Sequence, residues 1–352
     1  MKHLLGLVAG VLTTVVGASA QAPPSRDDSR VTSVAPPKRF VGPVQSMSFG
    51  DGSLWISCHT IAPVLRDPEG RVYRIDPRTF ETVASWPIAG CVVFGEGAVW
   101  VRHGPEAIGL RQLPENLGAL SKIDPRTNQV IAKMAVDRTS GLQKKIAVGE
   151  GGVWLPSYMK KNIVRLDPRT HQVVATIPIE GQQLDLTIGE GSIWILVGKM
   201  GIGQWKRVLR LDPKTNRIVA AFAVDASTAR IVAGEGWLWA IEQDTPIAGL
   251  PSLRLTRINP ATHQAHGSPI LLGRSHLRSF ALGPGGLWVA QDDPKSSKRE
   301  GMYSFVDAKT GQMRDLPLDR SLSAHAITVF GDGAIWLGNA WTSGTFLYRV
   351  QP

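Results

Sequence analysis

Four histidines, His59, His103, His276 and His325, fall in segments of unlike length and composition. Convergent imidazoles can hold a divalent metal or act as general bases near neutral pH; the alternative is four unrelated side chains. A second group is basic: Lys144, Lys145, Lys160, Lys161, Lys199, Lys206 and Arg207, with Tyr158 and Trp205 interleaved. Such a set could hold phosphates and stack bases or sugars, or form a solvated rim. Glu242, Asp244, Asp292 and Asp293 could serve as acids, bases or ligands for a hard cation such as Mg or Ca. Arg278, Gln291, Asn339 and Trp341 complete the candidates for ligand contact. The chain has no His-x-x-x-His, Cys-x-x-Cys or EF-hand spacing, no Gly-x-Ser-x-Gly elbow, no phosphate-binding loop and no dinucleotide fingerprint.

The elements that must position these residues are repeated. Gly50-Asp51-Gly52-Ser53-Leu54-Trp55 recurs in kind at Gly95 to Trp100, Gly149 to Trp154, Gly189 to Trp194 and Gly234 to Trp239, with looser copies ending at Trp288 and Trp336. The tryptophans are 45, 54, 40, 45, 49 and 48 residues apart. In phase with them runs a second motif. Ile75-Asp76-Pro77-Arg78-Thr79 returns at Ile123, Leu166 and Leu211, and in degenerate form at Ile258 and Val306. A fixed unit of this length means a repeat architecture in which each unit buries its apolar face on its neighbours.

Within the unit from Ile146 to Ile179, an apolar run meets Gly149-Glu150-Gly151, where glycine supplies the positive φ of a tight hairpin. Trp154 lies on the return strand, Ile163 to Leu166 alternates, and Asp167-Pro168 turns the chain. The β-branched run Val173 to Ile177 closes the unit. Four antiparallel strands in about 45 residues is the size of a propeller blade. The expected fold is therefore all-β: a seven-bladed β-propeller of four-stranded antiparallel blades, with the repeated Trp packed between blades. The seventh unit stops at Pro352 before an outer strand, and residues 38–42 (Lys38 to Gly42) have no unit of their own. This N-terminal segment is expected to complete the last blade and so remove exposed edges. Truncation before Phe40 should then be tolerated. The Gly-acid-Gly and Asp-Pro turns share one face, which is uniform and includes His171 and His263. The loops into each inner strand and after each Trp strand share the other face, whose variability suits binding.

Residues 1–20 read as a secretory signal peptide, with an apolar run from Leu4 and Ala18-Ser19-Ala20 as the cleavage site. Residues 21–37 read as a disordered leader, and residues 38–352 as one closed domain. No later apolar run is long enough to be a transmembrane segment, and a monomer is expected. The formal charge is +10, or +9 once Lys2 leaves with the signal. That basicity is compatible with nucleic acid or another polyanion as a partner, and equally with a soluble basic surface. The two cysteines, Cys58 and Cys91, are expected at the same end of adjacent blades, where an oxidising compartment could bridge them.

The pairing of Gly-Glu-Gly-x-Val-Trp with Asp-Pro-Arg-Thr, clearest from Val164 through Ile179, resembles the YVTN-type repeat propellers and the streptogramin lyase (virginiamycin B lyase-like) propellers. The resemblance spans about residues 38–352. The lyase side of it implies elimination chemistry on a cyclic depsipeptide, a divalent metal, and His325 as the catalytic residue, since His325-Ala326-Ile327 matches the entry to an inner strand. Arg278 sits at roughly the equivalent place one blade earlier. Gln291 and Asn339 stand where that family has glutamate, and Ser323 where it has an acid before the histidine. The YVTN side implies an exported binding protein without a fixed catalytic set. The leading expectation is thus an exported propeller that binds a small molecule, peptide or protein on its variable face. A metal-dependent lyase or lactone hydrolase, and a polyanion-binding protein, are the alternatives.

Overall fold

A computed structural model of the chain describes residues 31–34, 40, 42–59, 70–104, 117–137, 145–157, 159–199, 204–244, 246, 249–293, 301–316, 326–339 and 347–350. Its strands form seven four-stranded antiparallel sheets. From the inner strand outward, blade 1 is β2 (Val44–Gly50), β3 (Ser53–His59), β4 (Gly70–Ile75) and β5 (Thr82–Trp86). Blade 2 is β6 (Gly90–Gly95), β7 (Ala98–His103), β8 (Leu117–Asp124) and β9 (Gln129–Asp137). Blade 3 is β10 (Ala147–Gly149), β11 (Gly152–Ser157), β12 (Asn162–Leu166) and β13 (Val173–Pro178). Blade 4 is β14 (Gln182–Gly189), β15 (Ser192–Lys199), β16 (Trp205–Asp212) and β17 (Arg217–Val224). Blade 5 is β18 (Thr228–Gly234), β19 (Trp237–Gln243), β20 (Ser252–Ile258) and β21 (Ile270–Arg274). Blade 6 is β22 (Leu277–Gly283), β23 (Gly286–Asp292), β24 (Gly301–Asp307) and β25 (Met313–Leu316). Blade 7 is β26 (Ala326–Gly331), β27 (Ala334–Asn339) and β28 (Leu347–Val350), completed by β1 (Val31–Val34).

The N-terminal strand does close the ring, but from a different segment than the sequence suggested. Val31 to Val34 pair with Val350 to Leu347, inside the stretch read as a leader. Phe40, expected in that strand, is instead buried beside Val44 and Met47, edge-on to Tyr73 with ring centroids 4.9 Å apart. Aromatic burial, rather than strand pairing, fixes it there.

Each repeat Trp anchors one interface between blades. Trp55, Trp100, Trp154, Trp194, Trp239, Trp288 and Trp336 belong to seven separate apolar clusters, each shared with the next blade. Trp336 packs with Met47 and Leu54 of blade 1, which closes the circle. In six copies the indole N–H donates to the first glycine of its own hairpin, as Trp154 Nε1 does to Gly149 O at 3.0 Å. That glycine must lack a side chain, because a Cβ on Gly50 would fall inside the Phe94 ring of the next blade, and one on Gly331 inside the Phe49 ring. The second glycine answers a different need: Gly52, Gly97 and Gly151 have φ of 63°, 71° and 70°, which a mirror-image hairpin turn requires.

Candidate functional site

The two ends of the propeller are built on different principles. At the end that carries the Gly-acid-Gly and Asp-Pro turns, the same clasps recur. A cation just before each Asp-Pro motif reaches the following blade. Arg74 donates to Pro125 O and to Asn128 Oδ1, the latter at 2.8 Å. Lys122 donates to Pro168 O at 2.7 Å, Arg165 to Asn216 Oδ1 at 2.8 Å, Arg210 to Pro260 O at 3.2 Å and Arg257 to Ala308 O at 3.0 Å. Four of these cations also lie over the repeat indoles, 5.2, 5.2, 4.9 and 5.4 Å from Trp55, Trp100, Trp154 and Trp194, a favourable placement for a cation on a π face. A second clasp uses the turn acids: Glu96, Glu190 and Glu235 accept the N–H of Gly151, Gly236 and Gly285, one blade on, at 2.9, 3.0 and 2.8 Å.

His171 and His263 belong to this machinery, as expected of the uniform face. Each sits edge-on to the Trp of the preceding blade, Trp100 and Trp194, at 6.2 Å. Burial, then the neighbouring Lys122, lowers the His171 pKa. Each Asp-Pro carboxylate accepts backbone N–H bonds, as Asp167 Oδ1 does from Arg169 and Thr170 at 2.7 and 2.9 Å. These bonds depress the pKa of Asp76, Asp124, Asp167, Asp212 and Asp307. A recess of about 480 Å³ at this end is lined by Asp51, Glu96, Lys122, Asp124 and Arg126 among others. Its charges are turn and clasp residues of blades 1 and 2.

The other end, with the variable loops, breaks the repeat. Aligning the inner strands on the residue paired with each Trp puts Ser46, Cys91, Lys145, Asp185, Arg230, Ser279 and Ile327 at one level. Ser46 and Ser279 show the simple form: their hydroxyls accept the N–H of Val92 and Thr328 on the next inner strand, at 3.1 and 2.8 Å. Blades 3, 4 and 5 replace it with charge. Lys145 pairs with Asp185 where both are buried. Asp185 also accepts the N–H of Leu186 at 2.7 Å and of Ile231 at 3.0 Å. Burial depresses the Lys145 ammonium pKa, with Asp185 opposing the shift. Beside them, Arg102 is 3% exposed and donates to the carbonyls of Lys145, Asp137 and Pro156 at 3.0, 2.9 and 3.0 Å. Burial pushes its pKa down to about 10.

The expected site residues distribute unevenly over this end. His103 is buried, with ring nitrogens 2.7 Å from Gly104 O and 2.9 Å from Ser121 Oγ, which makes it a tethered side chain rather than an open ligand. His59 is the last residue of β3, His276 is half-buried just before β22, and Asn339 ends β27. His325, Tyr158, Trp341 and Lys144 lie outside the described residues. Arg278 is held by Asp292, with Nε to Oδ1 at 2.7 Å. Glu242 accepts from Thr256 at 2.6 Å and lies 3.3 Å from Arg254, and Asp244 accepts the N–H of Ser252 at 2.6 Å. Gln291 is fully buried, its amide donating to Leu272 O at 3.3 Å. Among the described residues no group of three or more His, Cys, Asp or Glu side chains converges as a metal site.

The basic patch is also divided. Lys145 is buried against Asp185, and Lys206 reaches Thr228 O at 2.5 Å. Lys160 pairs with Asp137 at 2.8 Å, while Lys161 and Lys199 are exposed. Arg207 lies 5.2 Å over the Trp205 ring, which remains 36% exposed. Cys58 and Cys91 are free thiols. They fall in different clusters, Cys58 toward blade 7 and Cys91 toward blade 3, so their side chains leave the blade 1–2 interface in opposite directions and do not form the bridge the sequence allowed. Burial raises both thiol pKa values.

Arg102, Asp185 and Arg230 were not singled out by motif reading. Their signal is internal: once the units are aligned on Trp, Asp185 and Arg230 occupy an inner-strand position that carries serine in blades 1 and 6, and Arg102 stands two residues after Trp100 where the other units carry uncharged residues.

The fold defined by these blades is the seven-bladed β-propeller. No family model and no curated relative matches the chain. Solved structures do share its architecture. Hydrazine synthase of Kuenenia stuttgartiensis matches with a TM-score of 0.62 at 11% identity, over 88% of this chain and 95% of that one. The Pan2 WD40 domain of Neurospora crassa matches with a TM-score of 0.60 at 15% identity, over 94% and 98%. The WD40 domain of Toxoplasma gondii coronin gives 0.58 at 7% identity, over 92% and 86%. At such identities the likeness is one of fold.

Proposed function

We propose that the chain is an exported propeller that binds a small molecule, peptide or protein partner at the variable-loop end of its channel. One observation carries this reading: equivalent inner-strand positions hold unlike buried charges at that end, while the opposite end repeats one set of clasps. A propeller needs only the clasps to stand. The asymmetric charges add nothing that Ser46 and Ser279 do not already provide, and they desolvate ionised groups. The signal-like residues 1–20 support export, which cell fractionation would check. The binding reading is tested by thermal unfolding of the chain against small-molecule and peptide libraries, because a ligand that binds the folded state raises the midpoint. Hits should lose their effect in Trp205→Ala or His276→Ala and keep it in Arg126→Ala at the uniform end. The reverse pattern would place binding at the wrong end.

A second reading is a metal-dependent lyase or lactone hydrolase of the streptogramin-lyase-like kind, with His325 as base. Its support is the resemblance at His325-Ala326-Ile327; Ala326 opens β26 at the same end as His276 and the Arg278–Asp292 pair of the adjacent blade, while His325 itself lies outside the described residues. Turnover of a cyclic ester or depsipeptide that requires Mg or Ca and disappears in His325→Ala would establish it; turnover that survives the substitution would remove His325 from the chemistry.

A further inference from the structure

We infer that Arg230 receives an oxyanion, a carboxylate or phosphate group of the ligand, at the channel mouth between blades 4 and 5. This deepens the binding reading above and rests on it. Three other guanidiniums at this end are held by oxygen partners, Arg102 by three carbonyls, Arg254 beside Glu242 and Arg278 against Asp292, while exposed Arg207 lies over the Trp205 ring. Among the described residues, half-buried Arg230 makes one bond, from Nη1 to Ala229 O at 2.9 Å, and has no carboxylate within ion-pair distance. A guanidinium offers five donors in a planar fork shaped for carboxylate or phosphate, so most of its capacity is open.

The surroundings favour an anion further. Lys145 and Lys206 are both near enough to Arg230 for repulsion between the cations to be felt. The Lys145 charge is answered by Asp185, and that of Lys206, which donates to Thr228 O, in part by Asp225. Thr228 itself is fully buried, and its hydroxyl has no partner among the described residues. It lies two residues before Arg230, across a bulge at which the register of β18 against β19 shifts. Bulges re-aim side chains at strand ends. An oxyanion held there would accept from the Arg230 fork and the Thr228 hydroxyl, and would offset the positive charge of blades 4 and 5.

The test is thermal unfolding of the full chain in chloride buffer at constant ionic strength, with inorganic phosphate in one arm and succinate in the other. At least one anion should raise the midpoint by mass action, and the arm that responds identifies the source. Loss of the charge-assisted bonds in Arg230→Gln should weaken the anion about tenfold or more. Thr228→Val should weaken it less, Arg230→Lys should keep part of it, and Arg274→Gln, whose side chain contacts Leu250 O at the rim, should leave it unchanged. No response in either arm, or a response of equal size in Arg230→Gln, would overturn the inference. Should the library screen yield a variable-end ligand that ignores Arg230→Gln, this inference alone fails; should it yield no ligand, the binding reading fails with it.

Discussion

At the residue scale the chain separates charges that hold the fold from charges that do not. The Asp-Pro carboxylates are of the first kind. Their folded pKa values lie below the unfolded value of about 3.9, so the stability they contribute is present above that pH. It is lost as pH falls through the depressed folded values. Blade 5 carries Asn259 at this position and keeps the same turn, its Oδ1 accepting from Ala261 and Thr262 at 2.8 and 3.0 Å. Asp167→Asn should therefore leave the pH 7 melting point nearly unchanged and reduce the loss between pH 4 and pH 2 (roughly the carboxylate range), as read by melts across pH. The Lys145–Asp185 pair behaves differently. Lys145→Met would strand a buried carboxylate and should destabilise by about 3–5 kcal/mol. Adding Asp185→Asn, which keeps an acceptor for one backbone N–H, should recover much of that. A double variant no more stable than Lys145→Met would show that the pair is not the source of the loss.

At the element scale the unit of stability is the clasp between hairpins. Glutamate is a poor choice for a turn position with positive φ, where glycine, asparagine and aspartate are favoured, yet Glu96, Glu150, Glu190 and Glu235 adopt 52°, 51°, 52° and 55°. The side chain accounts for the choice at three of them, since it reaches the next hairpin. This yields a paired prediction. Glu190→Gly relieves the left-handed backbone but breaks the bond to Gly236, and should be neutral to destabilising. Glu150 makes no such bond among the described residues, so Glu150→Gly should gain a few tenths to about 1 kcal/mol. Equal shifts in the two denaturant midpoints would dismiss the clasp. The repeat indole is the larger contribution: Trp154→Ala should cost about 3–5 kcal/mol, measured by chemical denaturation.

At the scale of the whole molecule the ring has a seam. The cation clasps start from blades 1 through 5, the last reaching blade 6, but Phe305 takes the cation's place in blade 6, and Arg314 covers Trp288 and Phe305 instead, at 5.8 and 5.1 Å. In blade 7, Arg349 turns back to Asp332 O at 3.4 Å rather than forward to blade 1. Pro284 replaces the turn acid in blade 6, and proline cannot take positive φ. Blades 6, 7 and 1 thus lean on apolar packing and on the strand β1. Removing residues 1–30 should leave the melting point in place, whereas removing residues 1–34 should lower it by more than about 5 °C. Equal melting points would show that β1 does not carry the closure. The same comparison replaces the expectation that truncation up to Phe40 is harmless.

The sequence by itself determined the blade. Gly-acid-Gly, Trp and Asp-Pro are local instructions, written in φ angles, a buried indole and a side-chain-to-backbone bond, and they recur six times, seven times and, with the degenerate copies, six times. Local chemistry repeated at a fixed period leaves a legible trace. It also placed His276, Arg278, Asp292 and Glu242 at the variable end, because strand alternation fixes which end each loop occupies. Only the tertiary structure decided which charges face one another. Arg74 to Pro125, Lys145 to Asp185 and Val31 to Val350 are pairings between units or between the chain's two ends. Such contacts depend on how far each blade is rotated and on a strand that bears no repeat motif. That is why basic residues that read as a polyanion surface proved in several cases to be struts, and why Arg230 was not visible as a half-buried cation with open donors.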